Sequence, residues 1–463
     1  MFGNKLFFAR VFGETPRALA RLGKKTGVLA VMLLAQLALQ GANSAEYYVN
    51  PGPEPGLGDG TKNSPWSSVS RAFEANVLRP GDTLLLGTGY YGKLDLVASH
   101  YVGPVTISGT AGQTAKFSQI SIKDSSNIVI KNLDISLGNG DANSQGPVVV
   151  LDETATDIIL ENSKISSAPD TSDWSADDWQ ANAVDGIVAR GEKITLRSNI
   201  IRNVHDGISI DAANSLVEEN VVENFSGNGI KSFGAHTVIQ NNVVRNCVDV
   251  GNGSRAGFMS WSRGSEGEVG KGQVVGGVLR GNQILNVEDG DHPLRCSLQG
   301  IAMFDGIYKD WLIENNIIVV DNWNGIVVMG ADNVRIWHNT VLDPDRKSPG
   351  PASIQIQPHK DGTPPKASMI LNNLADNYND PQNGVTTAGN MTVTSLDQLF
   401  VEPARGDFRL RSGSLAINAG VTRGYLALLG IGFPALPASD IADVTRPNGT
   451  WYDVGAYEFR PEQ

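Results

Sequence analysis

ITLRSNIIRNVHDGISI (194–210), SLVEENVVENFSGNGIKS (215–232) and TVIQNNVVRNC (237–247) repeat one pattern three times. Leu196, Val217 and Ile239 are each followed three places later by Asn, then by further aliphatic residues. The asparagines stand at 199, 220 and 242, in steps of 21 and 22, and the first two are followed by a second short run, DGISI (206–210) or NGIKS (228–232). A fixed period of this size marks a solenoid, in which each coil buries its apolar face only against its neighbours.

Outward from this stretch, the Asn position recurs at 282, 316, 339 and 373, and short strands at 105–108, 128–135 and 157–165 lead into the array. Residues 105–375 therefore read as one stack of coils. Steps of 40 and 34 residues mark coils that carry insertions. A stacked Asn at a buried corner can hydrogen-bond to its neighbours above and below, so these asparagines are expected to be structural. The insertions are 166–183, 248–273, 286–299 and 343–353, and in solenoids such segments gather on particular faces, often the one that binds.

Composition narrows the function classes. The chain has 463 residues, 52 glycines and 19% charged residues, which suits short strands joined by tight turns. Residues 1–45 read as a secretory signal: six Lys and Arg between Lys5 and Lys25, an apolar run at 27–39, then small residues before Glu46. Its removal takes away those six basic residues and Glu14, lowering the net charge from −12 to −17. So acidic a surface argues against nucleic acid, which needs a basic footprint. No later segment is apolar enough to span a membrane, and the expected location is secreted or periplasmic. The two cysteines, Cys247 and Cys296, each follow a repeat Asn and can meet on adjacent coils, as a disulfide or as two buried thiols.

Both ends of the chain carry recognisable segments. The first holds Tyr48-Val49, Gly60-Thr61, Pro65-Trp66, Pro80-Gly81-Asp82-Thr83 and Gly89-Tyr90, with an amphipathic helix over Ser67–Val77 that can cap the open solenoid. The last, 407–420 and 443–458, has the form DFRL…SLAI…G…RP…D-x-GAYE, with Leu415 where Pro is usual. These segments resemble those of secreted right-handed parallel β-helix proteins of the pectin-lyase-like group, many of them polysaccharide lyases and epimerases. The resemblance implies an all-β, right-handed parallel β-helix in four parts: signal 1–45, N-terminal cap 46–104, coils 105–375 and C-terminal cap 376–463. It also implies a monomer acting on a polysaccharide.

Chemistry is sought on the second strand of each coil. Aligned on a Gly-aliphatic pair, the rows begin at Asp185, Asp206, Asn228, Ala256, Gln299 and Asn324. Strand alternation points the third and fifth residues inward and the fourth and sixth outward. The sixth column reads Arg190, Asp211, Phe233, Trp261, Phe304 and Met329, and the fourth adds Ser209 and Lys231. An outward aromatic row bordered by charge suits a sugar-stacking groove. The alternative is a second core under an insertion.

A lyase needs a base and a neutraliser of the uronate carboxylate, for which Lys231, His236, Arg263 and Arg295 are candidates, with His205 just before one strand. A hydrolase needs paired carboxyls, for which Asp211 with Asp305 or Asp206 are candidates. A non-catalytic binder or export protein needs only the aromatics. Epimerases of the resembling group carry Asp-Pro-His-Asp, where this chain has only Val204-His205-Asp206, and pectate-lyase and polygalacturonase signatures are missing. Several such relatives use calcium, for which the acidic loops Asp170–Asp178 and Glu288–Asp291 are candidates. The expectation from these residues is a lyase acting on an acidic exopolysaccharide.

Overall fold

The structure, a computed structural model, describes residues 44–52, 58–138, 146–251, 253–286, 293–343, 347–380, 382–431 and 435–461. The apolar leader and the loop Glu288–Asp291 lie outside them. Three long parallel sheets of 13, 12 and 11 strands form the body, and within each sheet neighbours come from successive coils. Every coil therefore adds one strand to each sheet, the arrangement of a parallel β-helix. Pairing begins at Glu46–Val49, which lies beside Thr83–Leu86, and ends with Val385–Ala388 and Met391–Thr392. One continuous apolar core runs inside from Val49 to Ala375.

The predicted asparagines form one ladder. From Asn199 through 220, 242, 282, 316 and 339 to Asn373, each side-chain amide donates to the next carboxamide oxygen at 2.9–3.0 Å, and Asn390 extends the run. The same oxygen accepts the preceding Asn backbone N–H, as Asn242 does from Asn220 at 2.9 Å. From Asn199 to Asn373 the ladder is buried.

The N-terminal cap contains α1 (Val69–Glu74), which buries Val69 and Ala72. It is shorter than the predicted helix, and Val77 is exposed. The C-terminal segment closes on a buried ion pair, Arg446 to Glu458 at 2.8 Å, and the Asp453 backbone N–H donates to the same Glu458 oxygen at 2.9 Å. Arg446 also donates to the buried His338 Nδ1 at 3.0 Å. Cys247 and Cys296 are disulfide-bonded, with Cα atoms 5.5 Å apart. No described helix is long and apolar enough to cross a membrane.

Candidate functional site

Seven strands of the 11-stranded sheet form the floor of the site: β1 (Ile187–Ala189), β2 (Ile208–Ile210), β3 (Ile230–Ser232), β4 (Arg255–Trp261), β5 (Leu298–Asp305), β6 (Asn324–Met329) and β7 (Ser353–Gln357). Register places Ile187, Ile208, Ile230, Phe258, Ile301, Ile326 and Ile354 in one inward row. The outward fourth row is Val188, Ser209, Lys231, Met259, Ala302, Val327 and Gln355. For β1 to β6 a glycine stands immediately before the inward residue of that row, because the coils approach closely there; β7 has Ser353 at that position. A Cβ at Gly207 would lie 2.4 Å from the Gly229 carbonyl and 2.3 Å from Val222.

Insertions rise at both margins. Before the strands, 166–183, 248–251, 253–254 and 293–297 make one wall: α2 (Ala176–Asn182) buries Trp179 against Trp174, Val248, Val250 and Leu294, and the disulfide ties its base. After the strands, the segment from Arg263 to Val269 doubles back on itself, and the His359–Thr363 turn stands beside it.

Under the first wall, three successive coils bring together Asp185, His205, Asp206 and Lys231. His205 Nδ1 donates to Asp185 Oδ1 at 2.9 Å and lies 3.6 Å from Asp206 Oδ2. The Asp206 backbone N–H donates to Asp185 Oδ1 at 3.2 Å. Asp206 is buried; its Oδ2 accepts from Lys231 Nζ, and its Oδ1 accepts from the Asn228 backbone N–H at 2.6 Å. The Lys231 ammonium also lies 5.7 Å from the Trp261 ring centre. The bond from Asp185 raises the pKa of His205, against the opposing effect of burial. Burial pushes the Asp185 carboxyl up, but the His205 bond and the charges of Lys231 and His205 outweigh it and leave the group below its ordinary range. The half-exposed imidazole thus has its Nδ1 proton tied down, and its other nitrogen is available for chemistry.

Beyond Lys231, Phe233 and Trp261 pack with ring centres 4.1 Å apart, and the Arg263 guanidinium lies 6.0 Å from the Phe233 ring. Asp211 is raised by burial, an effect moderated by Arg263 and Arg190, so these three charges share one neighbourhood. Both aromatics are partly exposed, while the Trp261 indole N–H is buried.

Other expected residues lie elsewhere. His236 is a turn residue with φ of 56°, in a row of left-handed positions with Lys193 and Asn214, and its ring packs on Gly276. Arg295 donates to the Asn286 carbonyl at 3.0 Å and pairs with Asp321 at 3.2 Å, so it holds the first wall together. Phe304 is the extra residue of a bulge, because Ser260 pairs with Met303 while Trp261 pairs with Asp305. Asp305 is held by Lys360 at 2.5 Å. Asp211 and Asp305 are three coils apart, about 14 Å at the usual strand spacing, beyond the roughly 5–9.5 Å of glycosidase carboxyl pairs. Asp206 lies in the bend before β2, with Oδ2 held by Lys231 and Oδ1 by Asn228, so it is already engaged and is not a partner carboxyl for Asp211.

Among the described residues, Asp185, His205 and Asp206 are the one group whose ligand atoms lie within 4.8 Å of one another. Two carboxylates and an imidazole do not fit calcium, which takes six to eight oxygens, and Lys231 already occupies Asp206. Nor does the Asp170–Asp178 loop fit, since the Asp170 carboxylate accepts from the Ser172 backbone N–H and that of Asp178 from the backbone N–H of Ser175, the N-cap of α2. The residues missed by sequence reasoning are Asp185 and, as the centre of the site, the His205–Asp206 pair. Their signal was the first column of the aligned rows.

The family described as "Right handed beta helix region" matches residues 97–274 and 185–356. No curated protein matches. Among solved structures, the pectate lyase Pel9A superposes with a TM-score of 0.51 at 12% identity, covering 91% of this chain and 98% of that one. The alginate lyase AlyGC of family PL6 gives 0.42 at 13% identity over 76% of this chain and 50% of that one. The A-module of the Azotobacter vinelandii mannuronan C-5 epimerase AlgE4 gives 0.44 at 16% over 74% and 92%. Identities this low speak to the fold alone.

Proposed function

Since the chain belongs to the right-handed β-helix family, we propose that its walled groove holds an acidic exopolysaccharide and cleaves it by β-elimination. The observation that carries this reading is the pair of interlocked contacts, Asp185 to His205 and Asp206 to Lys231, on the groove floor. Elimination from a uronate removes the proton on the carbon next to the carboxylate. The electron pair forms a double bond to the neighbouring carbon, and the glycosidic oxygen on that carbon leaves. The Lys231 ammonium, anchored by buried Asp206, lies where it can neutralise the carboxylate as charge builds on it. His205 takes the proton on its free nitrogen, and Asp185 stabilises the imidazolium formed. The same imidazolium returns its proton to the leaving oxygen.

Phe233 and Trp261 offer ring faces to the sugars, and Arg190 and Arg263 offer charge to further carboxylates. A secreted or periplasmic location belongs to the same proposal, supported by the leader sequence and by the disulfide. The test is incubation with a panel of acidic and neutral polysaccharides, following both ultraviolet absorbance and reducing ends. Elimination produces both signals and a His205→Ala variant produces neither. Reducing ends without absorbance would indicate hydrolysis, and retention of polymer with no product would indicate a binder.

A further inference from the structure

The groove is chemically lopsided about Lys231. Toward the N-terminus its charged and hydroxylated neighbours are Asp185, Asp206, Arg190, Ser209 and Asp211, and Val188, the apolar member of the row there, is buried. Toward the C-terminus the fourth row runs Met259, Ala302 and Val327 before the first polar side chain, Gln355. Ala302 and Val327 are buried, so the apolar shelf that is partly exposed over these three coils, roughly 14 Å, consists of Met259, Trp261, Phe304 and Met329. Asp305 at its edge is occupied by Lys360.

We infer that the sugar lying on the C-terminal side of Lys231 carries a methyl-bearing substituent, either a 6-deoxy carbon or an O-acetyl ester. The inference rests on the reading that this groove holds a polysaccharide. A plain hexose unit turns hydroxyls to whatever it lies on, and each one set on this shelf gives up a water hydrogen bond without replacement. A methyl group gives up none and buries apolar area. The Trp261 ring alone would be served by the C–H face of any pyranose. Met259, Phe304 and Met329 extend the apolar area beyond one ring, and thioethers adapt to a small substituent. The shelf is continuous with the candidate site through Trp261, which contacts both Phe233 and Lys231.

The test uses the His205→Ala variant, whose altered side chain is half-exposed, and isothermal titration with two matched pairs of uronate polysaccharides. One pair is an O-acetylated polymer and its saponified product. The other is a 6-deoxyhexose-containing polymer and a counterpart with the unmodified hexose. Tighter binding of the methyl-bearing member of either pair, by about four- to tenfold, is expected, and the pair that responds identifies the source. Adding Met259→Gln and Met329→Gln should bring that ratio close to one. Equal affinities within both pairs, or no binding to any of the four polymers, would overturn the inference. Elimination by the wild-type protein is scored separately. Product with equal affinities leaves the lyase reading standing and removes this one, whereas a methyl preference without product does the reverse.

Discussion

Asn242 is the residue whose removal most directly tests why the coils hold together. Its carboxamide oxygen accepts the Asn220 backbone N–H at 2.9 Å and the Asn220 side-chain amide at 3.0 Å. Its own amide donates to the carbonyls of Val217 and Gln240 and to Asn282. The site is completely buried. Asn242→Ala leaves two donors of Asn220 without acceptors where water cannot reach. At about 1–3 kcal/mol for each orphaned buried group, the loss should be about 2–6 kcal/mol, before any contribution from the cavity. Asn390→Ala removes the acceptor of the same two donors, on Asn373, but at the half-buried end of the ladder, where water can replace it and no further rung follows, so it should cost roughly half of that or less. Combining Asn220→Ala with Asn242→Ala should cost less than the sum, since the two share the bonds being removed. Equilibrium urea unfolding followed by circular dichroism measures all three. A loss for Asn242→Ala below about 0.5 kcal/mol, the range of ordinary surface changes, or equal losses at 242 and 390, would refute the ladder as a source of stability.

Other outcomes follow from the site and the first cap. In the proposed mechanism His205 is a neutral base, and its pKa is raised by Asp185, so activity should be present above that raised value and lost as pH falls through it. In Asp185→Asn the acid limb of the rate profile should move to lower pH, with a fall of about 100-fold in kcat; an unmoved limb would remove Asp185 from the mechanism. Lys231→Ala leaves the buried Asp206 carboxylate without its ammonium, so it should lower Tm and abolish turnover. Adding Asp206→Asn should restore Tm but not turnover, which differential scanning calorimetry and product absorbance can separate. Burial raises the Tyr91 phenol to about 12, and its hydroxyl donates to the carbonyls of Val49 and Gly87. Its contribution to stability is complete below the unfolded value of about 10 and disappears as pH rises toward about 12. The urea midpoint of wild type should therefore fall across that window more steeply than that of Tyr91→Phe.

Much of this architecture was legible because a β-helix repeats its physics. The inward isoleucines and the asparagines recur at the coil period, so one stretch was enough to read the register of the rest. Chemistry was harder to see for the same reason. Asp185, Asp206 and Asn228 occupy a single column of the aligned rows, but at a corner, where strand alternation says nothing about direction. His205 precedes that column by one residue and matters only because the next coil back presents Asp185 to its ring. His236 had the same composition signal as His205, but it sits where the chain turns left-handed, and a local φ cannot be read from one histidine. Arg295 and Phe304 were displaced by events that periodicity does not encode, a disulfide-tied wall and a bulge.

The corner that holds the asparagine ladder and the corner that receives the insertions are different corners of the same coil. The walls can therefore lengthen, shorten or be exchanged without touching a rung of the ladder. A protein organised this way separates the freedom to change its substrate from the need to stay folded. Transplanting 166–183 or 286–297 between such scaffolds is accordingly a practical route to new polymer specificities, provided the graft begins and ends on the same two strands.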